Sequence, residues 1–289
     1  MTINYVPPAF SAHSKSECPE ILYHYTGQVS LLSIIKTSEL WATKVQYMND
    51  ATEFNLALSM ARQILDDMIG ATLIQNPVTA YAQLRDSLTG LEDINIFAVC
   101  FCENGDLLSQ WRGYAEAAGS SSIGFDSHVL TELASRDGFT LGKCIYDTST
   151  QRAIVTQAIE HCLQDGQAVR PQTQWGFHGP LADILFRYGA FFKDPSFAEE
   201  KEWRLVSPTI PFRDERICFR AGRSTITPYY KLSIKHSGPL PIRRVIVGPC
   251  PHMDLAISAV TAALMQQGMY GPLRGEEIAL GSKIPFRNW

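Results

Sequence analysis

The stretch INIFAVCFC, residues 94–102, constrains the fold more than any other part of the chain. It carries no charged side chain, is short for a helix and is rich in aromatic and β-branched residues, so it reads as a buried strand. Such a strand needs a sheet around it and other layers over it. Further strands are predicted at ILYHYTG (21–27), LWATKVQYM (40–48), SSIGFD (121–126), LGKCIYD (141–147), FAEEKEWRLVSP (197–208), YYKLSIK (229–235) and IRRVIVGP (242–249). Between them, helical spacing appears in QVSLLSIIKTSEL, where Val29, Leu32, Ile34 and Ile35 mark one face, and from Thr52 to about Ile69. It recurs in TQRAIVTQAIEHCLQ, in HGPLADILFRYGAFFK, and in PHMDLAISAVTAALMQQG, which Gly268 closes. Residues around Pro77 and on to Asp93 read as loop and polar connection. Residues 1–20, rich in Pro, Ser and Ala, read as a flexible lead-in, and no repeat or linker divides 21–289. The expected fold class is therefore α+β, with a single domain and a mixed or mostly antiparallel central sheet bearing helical insertions.

Bulk chemistry narrows the function classes. No apolar run reaches the roughly 18–20 residues of a membrane-spanning helix, and MTINYVPPAF lacks the pattern of a signal peptide. The cysteines number seven and are scattered, which points to reduced thiols and a cytoplasmic setting. The net charge of −4 argues against a chain coated in nucleic acid. From Phe212 to Val245, however, Arg213, Arg216, Arg220, Arg223, Lys231, Lys235, Arg243 and Arg244 face only Asp214 and Glu215. That cluster is either a phosphate-binding footprint or an ordinary solvated face. Cys100-Phe101-Cys102 and Cys250-Pro251-His252 lack zinc-like spacing, so no metal is expected. Glycine-rich phosphate loops and GxSxG are absent as well.

Several groups of residues can carry chemistry. Strand alternation places His24 and Thr26 on one face of ILYHYTG and Tyr23 and Tyr25 on the other. His24 then either faces a cleft or is a satisfied structural histidine. In an extended EEKEWR, Glu200, Glu202 and Arg204 share a side, which suits the holding of a cationic transition state or forms a surface ion-pair ladder. Trp111, Arg112 and Tyr114 could wall a pocket for a flat heterocycle and a phosphate, or anchor the core. Tyr47, Met48, Asn49, Asp50 and Glu53 cluster where a strand meets a helix, as caps or as binding groups.

The motifs LYHYTG, LWAT, YMNDATEF, CFCENGDLLSQWRGYA, SSIGFD, EEKEWRLV, VIVGP and SKIPFR, in that order, resemble the bacterial family catalogued as domain of unknown function 2971. More distantly, a strand bearing H-x-T followed by a short helix and a second strand is similar to the opening of ADP-ribosyltransferases of the His-Tyr-Glu type. It is similar also to the DNA-modifying toxins of that superfamily. That resemblance implies a sheet split into two packed halves, and NAD as the substrate. It also implies cleavage of the nicotinamide–ribose bond, with ADP-ribose passing to a macromolecule or to water in a toxin or phage-defence setting. His24 would hold a ribose hydroxyl, and Glu202, or else Glu200, would orient the sugar. Tyr114 or Tyr47 would stack on nicotinamide, since Tyr25 faces the other way. Thr26 and Gly27 would allow close backbone approach, and Arg112 or an arginine of the basic stretch would meet the pyrophosphate. Tyr23, Tyr25, Asn49, Trp111 and Arg204 complete the expected binding wall. The alternatives are a non-catalytic nucleotide or nucleic-acid binding module and a metal-independent nuclease using His24.

Overall fold

The computed structural model describes residues 5–15, 17–48, 52–71, 75–89, 95–113, 119–164, 179–222, 224–235, 238–269 and 277–285. The chain opens with α1 (Pro8–His13), β1 (Ile21–Gly27), α2 (Gln28–Thr37) and β2 (Glu39–Lys44), then a 3-10 turn at Val45–Tyr47. Next come α3 (Thr52–Ala71), α4 (Gln75–Asp86), β3 (Phe97–Cys102), α5 (Leu108–Gly113), β4 (Ser120–Asp126) and α6 (Ser127–Arg136). The middle of the chain holds β5 (Thr140–Lys143), α7 (Thr148–Gln164), α8 (Pro180–Gly189), a 3-10 turn at Pro195–Glu200 and β6 (Glu202–Val206). It ends with β7 (Ile217–Ala221), β8 (Ile226–Ser233), β9 (Ile242–Val247), α9 (Met253–Gln266) and β10 (Ala279–Gly281).

These strands make one mixed sheet in the order β10-β9-β4-β1-β3-β2-β8-β7, with β6 paired to β3 and β5 to β6. Each pairing is antiparallel except that of β10 with β9. The buried reading of INIFAVCFC holds from Phe97, and the structure shows why it is apolar on both sides. Phe97, Val99 and Phe101 enter one core with Trp203, Leu205, Leu31 and Ile34 of α2, Leu130 of α6 and Leu264 of α9. Ala98 enters the other with Val206, Leu65 of α3, Leu84 of α4, Ile154 of α7 and Phe186 of α8. Helices thus cover both faces, and β3 has no face left for water.

The expected split into two packed halves is corrected to one continuous sheet with a fork in it. β3 pairs with β6 on one side from Ala98 to Cys102. On its other side it is shared: β1 meets it at Tyr23↔Cys102 and β2 at Thr43↔Ala98 and Lys44↔Phe97. Beyond those contacts β1 and β2 diverge, and α2 joins them.

Other expectations are revised as well. Part of the lead-in folds: α1 buries Phe10, and the Tyr5 hydroxyl donates to the Gln157 carbonyl. The segment around Pro77 is helical, as α4. On α2 the buried face is Leu31, Ile34 and Ile35, whereas Val29 and Leu32 are exposed. The strand expected across FAEEKEWRLV begins only at Glu202, because Lys201 turns the chain with φ 43°. The expected cap of α3 at Asp50 lies outside the described residues.

Close approach of α8 to α3 depends on a missing side chain. A Cβ at Gly189 would sit 2.6 Å from the Ala57 Cβ. Gly189→Ala is therefore expected to lower stability by about 1–3 kcal/mol, measured by urea denaturation.

Candidate functional site in the fork between two strands

His24 occupies the point where β1 leaves β3. Its Nδ1 lies 2.9 Å from the carbonyl oxygen of Cys100. A carbonyl only accepts, so Nδ1 carries the proton and Nε2 is left with its lone pair. Among the described residues Nε2 has no hydrogen-bond partner. Burial pushes the imidazole pKa down, the Cys100 bond opposes this, and the Arg220 charge adds to the lowering. The ring is therefore neutral at physiological pH, fixed in one tautomer, and half-buried. Arg220 reaches over β8 and donates to Thr43 Oγ1 at 3.2 Å, which brings a guanidinium to the β2 side of the fork. Trp41 of β2 and Tyr229 of β8 stack on the same strand face as Thr43, with ring centroids 4.4 Å apart.

Glu202 is not beside His24. Cross-strand partners share a face, and Tyr23↔Cys102↔Glu202 form one row through the sheet. His24 belongs to the next row with Phe101, whose ring centroid is 5.8 Å away, and with Trp203 opposite Phe101. Alternation sends that row to the other face. The expectation that His24 and Glu202 grip one sugar is corrected on this register.

Glu202 instead anchors a buried charge cluster. Arg204 Nε donates to its Oε1 at 2.7 Å, Lys193 Nζ donates to its Oε2, and the Cys100 thiol bonds it too. Lys193 also meets Glu200 at 2.5 Å, and Arg204 Nη1 donates to the Ala190 carbonyl at 2.8 Å. Burial alone would raise the Glu202 pKa, but the Arg204 and Lys193 charges more than offset that and hold it at about 2. Lys193 is pushed up by the same pairing, against burial. Glu202 and Arg204 thus share a side, as the spacing predicts, whereas Glu200 sits in the preceding 3-10 turn and meets them through Lys193; Glu202 is 3% exposed and faces cations rather than solvent.

The aromatic loop is also interior. Trp111 is 1% exposed; its Nε1 donates to Asp106 at 2.7 Å, and Tyr25 meets it edge-on at 4.8 Å. The Tyr25 hydroxyl donates to the Asn104 carbonyl and accepts from the Leu107 amide. Tyr23 lies over Gly105, where a Cβ would collide with its ring. Thr26 is buried, and Gly27 begins α2 with φ −76°, a value any residue adopts. Tyr47 is 43% exposed and Arg112 is exposed on α5. Tyr114 and Asn49 lie outside the described residues.

The basic stretch does not assemble into one surface. Arg216 and Arg220 are on β7 or beside it at one rim of the sheet, while Arg243 and Arg244 are on β9. In the sheet order β4, β1, β3, β2 and β8 stand between β9 and β7. Arg243 is engaged by Asp126 and Arg216 by Asp214. Among the described residues no group of three or more His, Cys, Asp or Glu could hold a metal ion. No helix there is long and apolar enough to cross a membrane.

With this geometry in hand, residues 110–205 match the model of a family described as "Protein of unknown function (DUF2971)". That segment, about a third of the chain, is similar to the DUF2971 family. It contains Trp111 and, of the charge cluster, Lys193, Glu200, Glu202 and Arg204, whereas His24, Thr43, Cys100 and Arg220 lie outside it. No curated protein and no solved structure matches the chain.

Sequence reasoning missed Lys193 and Asp106. Lys193 closes the apolar run YGAFF, and a lone cation at the end of such a run was the available signal. Asp106 ties Trp111 to Ser282 Oγ and to the Lys283 amide, a link between segments far apart in the chain that no local pattern announces.

Proposed function

We propose that this protein binds a nucleotide, with NAD the leading candidate, at the fork between β1 and β2. The observation that carries this reading is the state of His24: a neutral ring whose Nδ1–H is committed to Cys100 and whose Nε2 keeps its lone pair, with the Arg220 charge near enough to act on the ring. An acceptor nitrogen is matched to a ribose hydroxyl, and a guanidinium to a phosphate. The Trp41–Tyr229 stack does not belong to this site: Thr43, opposite Ala98, shares the face of Cys102 and Glu202 rather than that of His24.

The chemistry proposed for the held ligand is cleavage of the nicotinamide–ribose bond with transfer of ADP-ribose to a macromolecule or water. His24 serves there as the ribose anchor. Glu202, on the other face of the sheet and held by Lys193 and Arg204, brings no carboxylate to that ligand, so binding is the part of the reading that the geometry supports best. A nucleic-acid footprint is supported less, since the basic residues are divided between the two rims.

Titration calorimetry with NAD and with ADP-ribose tests the binding, and nicotinamide release tests the cleavage. His24→Ala and Arg220→Ala are each expected to weaken binding about tenfold or more, a loss of roughly 1–2 kcal/mol. Unchanged affinity in both variants, or no binding by the unaltered protein, overturns the proposal.

A further inference from the structure

Two neighbouring helices carry exposed apolar residues that nothing among the described residues covers. On α2, Val29 is 74% and Leu32 56% exposed. On α9, Leu255 is 71% and Met265 49% exposed, with Ala259 and Ala262 between them on the same helical face. The opposite face of α9 packs on the sheet, where Met253 and Ile257 lie against Gly281. The two helices touch. An apolar patch rimmed by few polar groups marks an interaction surface.

The charges identify the occupant. α2 carries one charged residue, Lys36, and α9 carries one, Asp254. Both are exposed, and among the described residues neither makes an ion pair. A strongly charged partner would find nothing to neutralise it here. A second copy of this chain, related by a two-fold axis, would set Lys36 of one copy against Asp254 of its partner and the converse, around a shared apolar centre. We infer that the α2–α9 face is a self-complementary dimer interface.

Light scattering on the full chain over a micromolar range tests this. The expected result is a dimer whose Kd rises at least about tenfold on Lys36→Glu or on Asp254→Lys, since each sets like charges together. The two changes combined restore the opposite-sign pairs and are expected to return the Kd to near its original value. Leu255→Glu is expected to give a monomer. Far-ultraviolet circular dichroism confirms that each variant is folded, as substitution at these three exposed positions allows. A monomer throughout for the unaltered protein, a dimer indifferent to these changes, or a combined variant that stays dissociated overturns the inference.

Discussion

Glu202→Gln is expected to destabilise the fold by about 3–5 kcal/mol, the cost of breaking a buried ion pair from one side. The carboxylate balances Lys193 and Arg204 within the interior, with side chains 8%, 5% and 4% exposed for Lys193, Glu202 and Arg204. The amide keeps the shape but removes the negative charge that both cations share. Urea denaturation measures the loss; a change under about 1 kcal/mol would show that the cluster relaxes or is hydrated. The pH dependence has a definite sign. The folded pKa of about 2 lies below the ordinary value of 4.5, so this contribution is complete above pH 4.5 and fades as the pH falls towards 2. A depression of that size corresponds to about 3 kcal/mol. The acid limb of the unaltered protein is expected to be steeper than that of Glu202→Gln. The same variant also bears on function: if nicotinamide release disappears while the variant remains folded, the carboxylate has a chemical role beyond balancing its neighbours.

Trp111→Ala should cost a similar amount, about 3–5 kcal/mol, through a different cause. The indole is wholly interior, set edge-on to Tyr25, and lies so near Gly248 that a Cβ there would come within 3.0 Å of it. Truncation opens a cavity and removes the N–H that satisfies Asp106. Trp111→Phe separates these effects, since it retains most of the ring and loses only the donor; a cost of roughly 1–3 kcal/mol is expected. Thermal unfolding of the two variants checks the order. Had the ring walled a ligand site, the alanine change would weaken nucleotide binding and leave stability nearly untouched.

Patterns with a short period were legible in the sequence. The nearly unbroken apolar run of β3, the helix α9 closed at Gly268 with φ 71°, and the shared side of Glu202 and Arg204 all follow from local spacing. What could not be read there depends on register between distant strands. Whether His24 and Glu202 share a face is decided by Tyr23 lying opposite Cys102 and Cys102 opposite Glu202, pairings between segments far apart in the chain. Exposure was misjudged for a related reason. Val29 and Leu32 have the hydrophobic character of core residues, and only the orientation of α2 on the sheet turns them outward. Lys193 could be identified as important only once β6 and the end of α8 were seen together.

The fork gives this sheet an internal rim. Free backbone edges ordinarily lie at the outside of a sheet, where a strand from another molecule can add to them. Here the gap opens mid-sheet, spanned by the α2 connection, with the imidazole of His24 already occupying one carbonyl. Where the parted strands no longer supply a backbone partner, a side chain does so instead, and the imidazole of His24 is thereby built into the hydrogen bonding of the sheet.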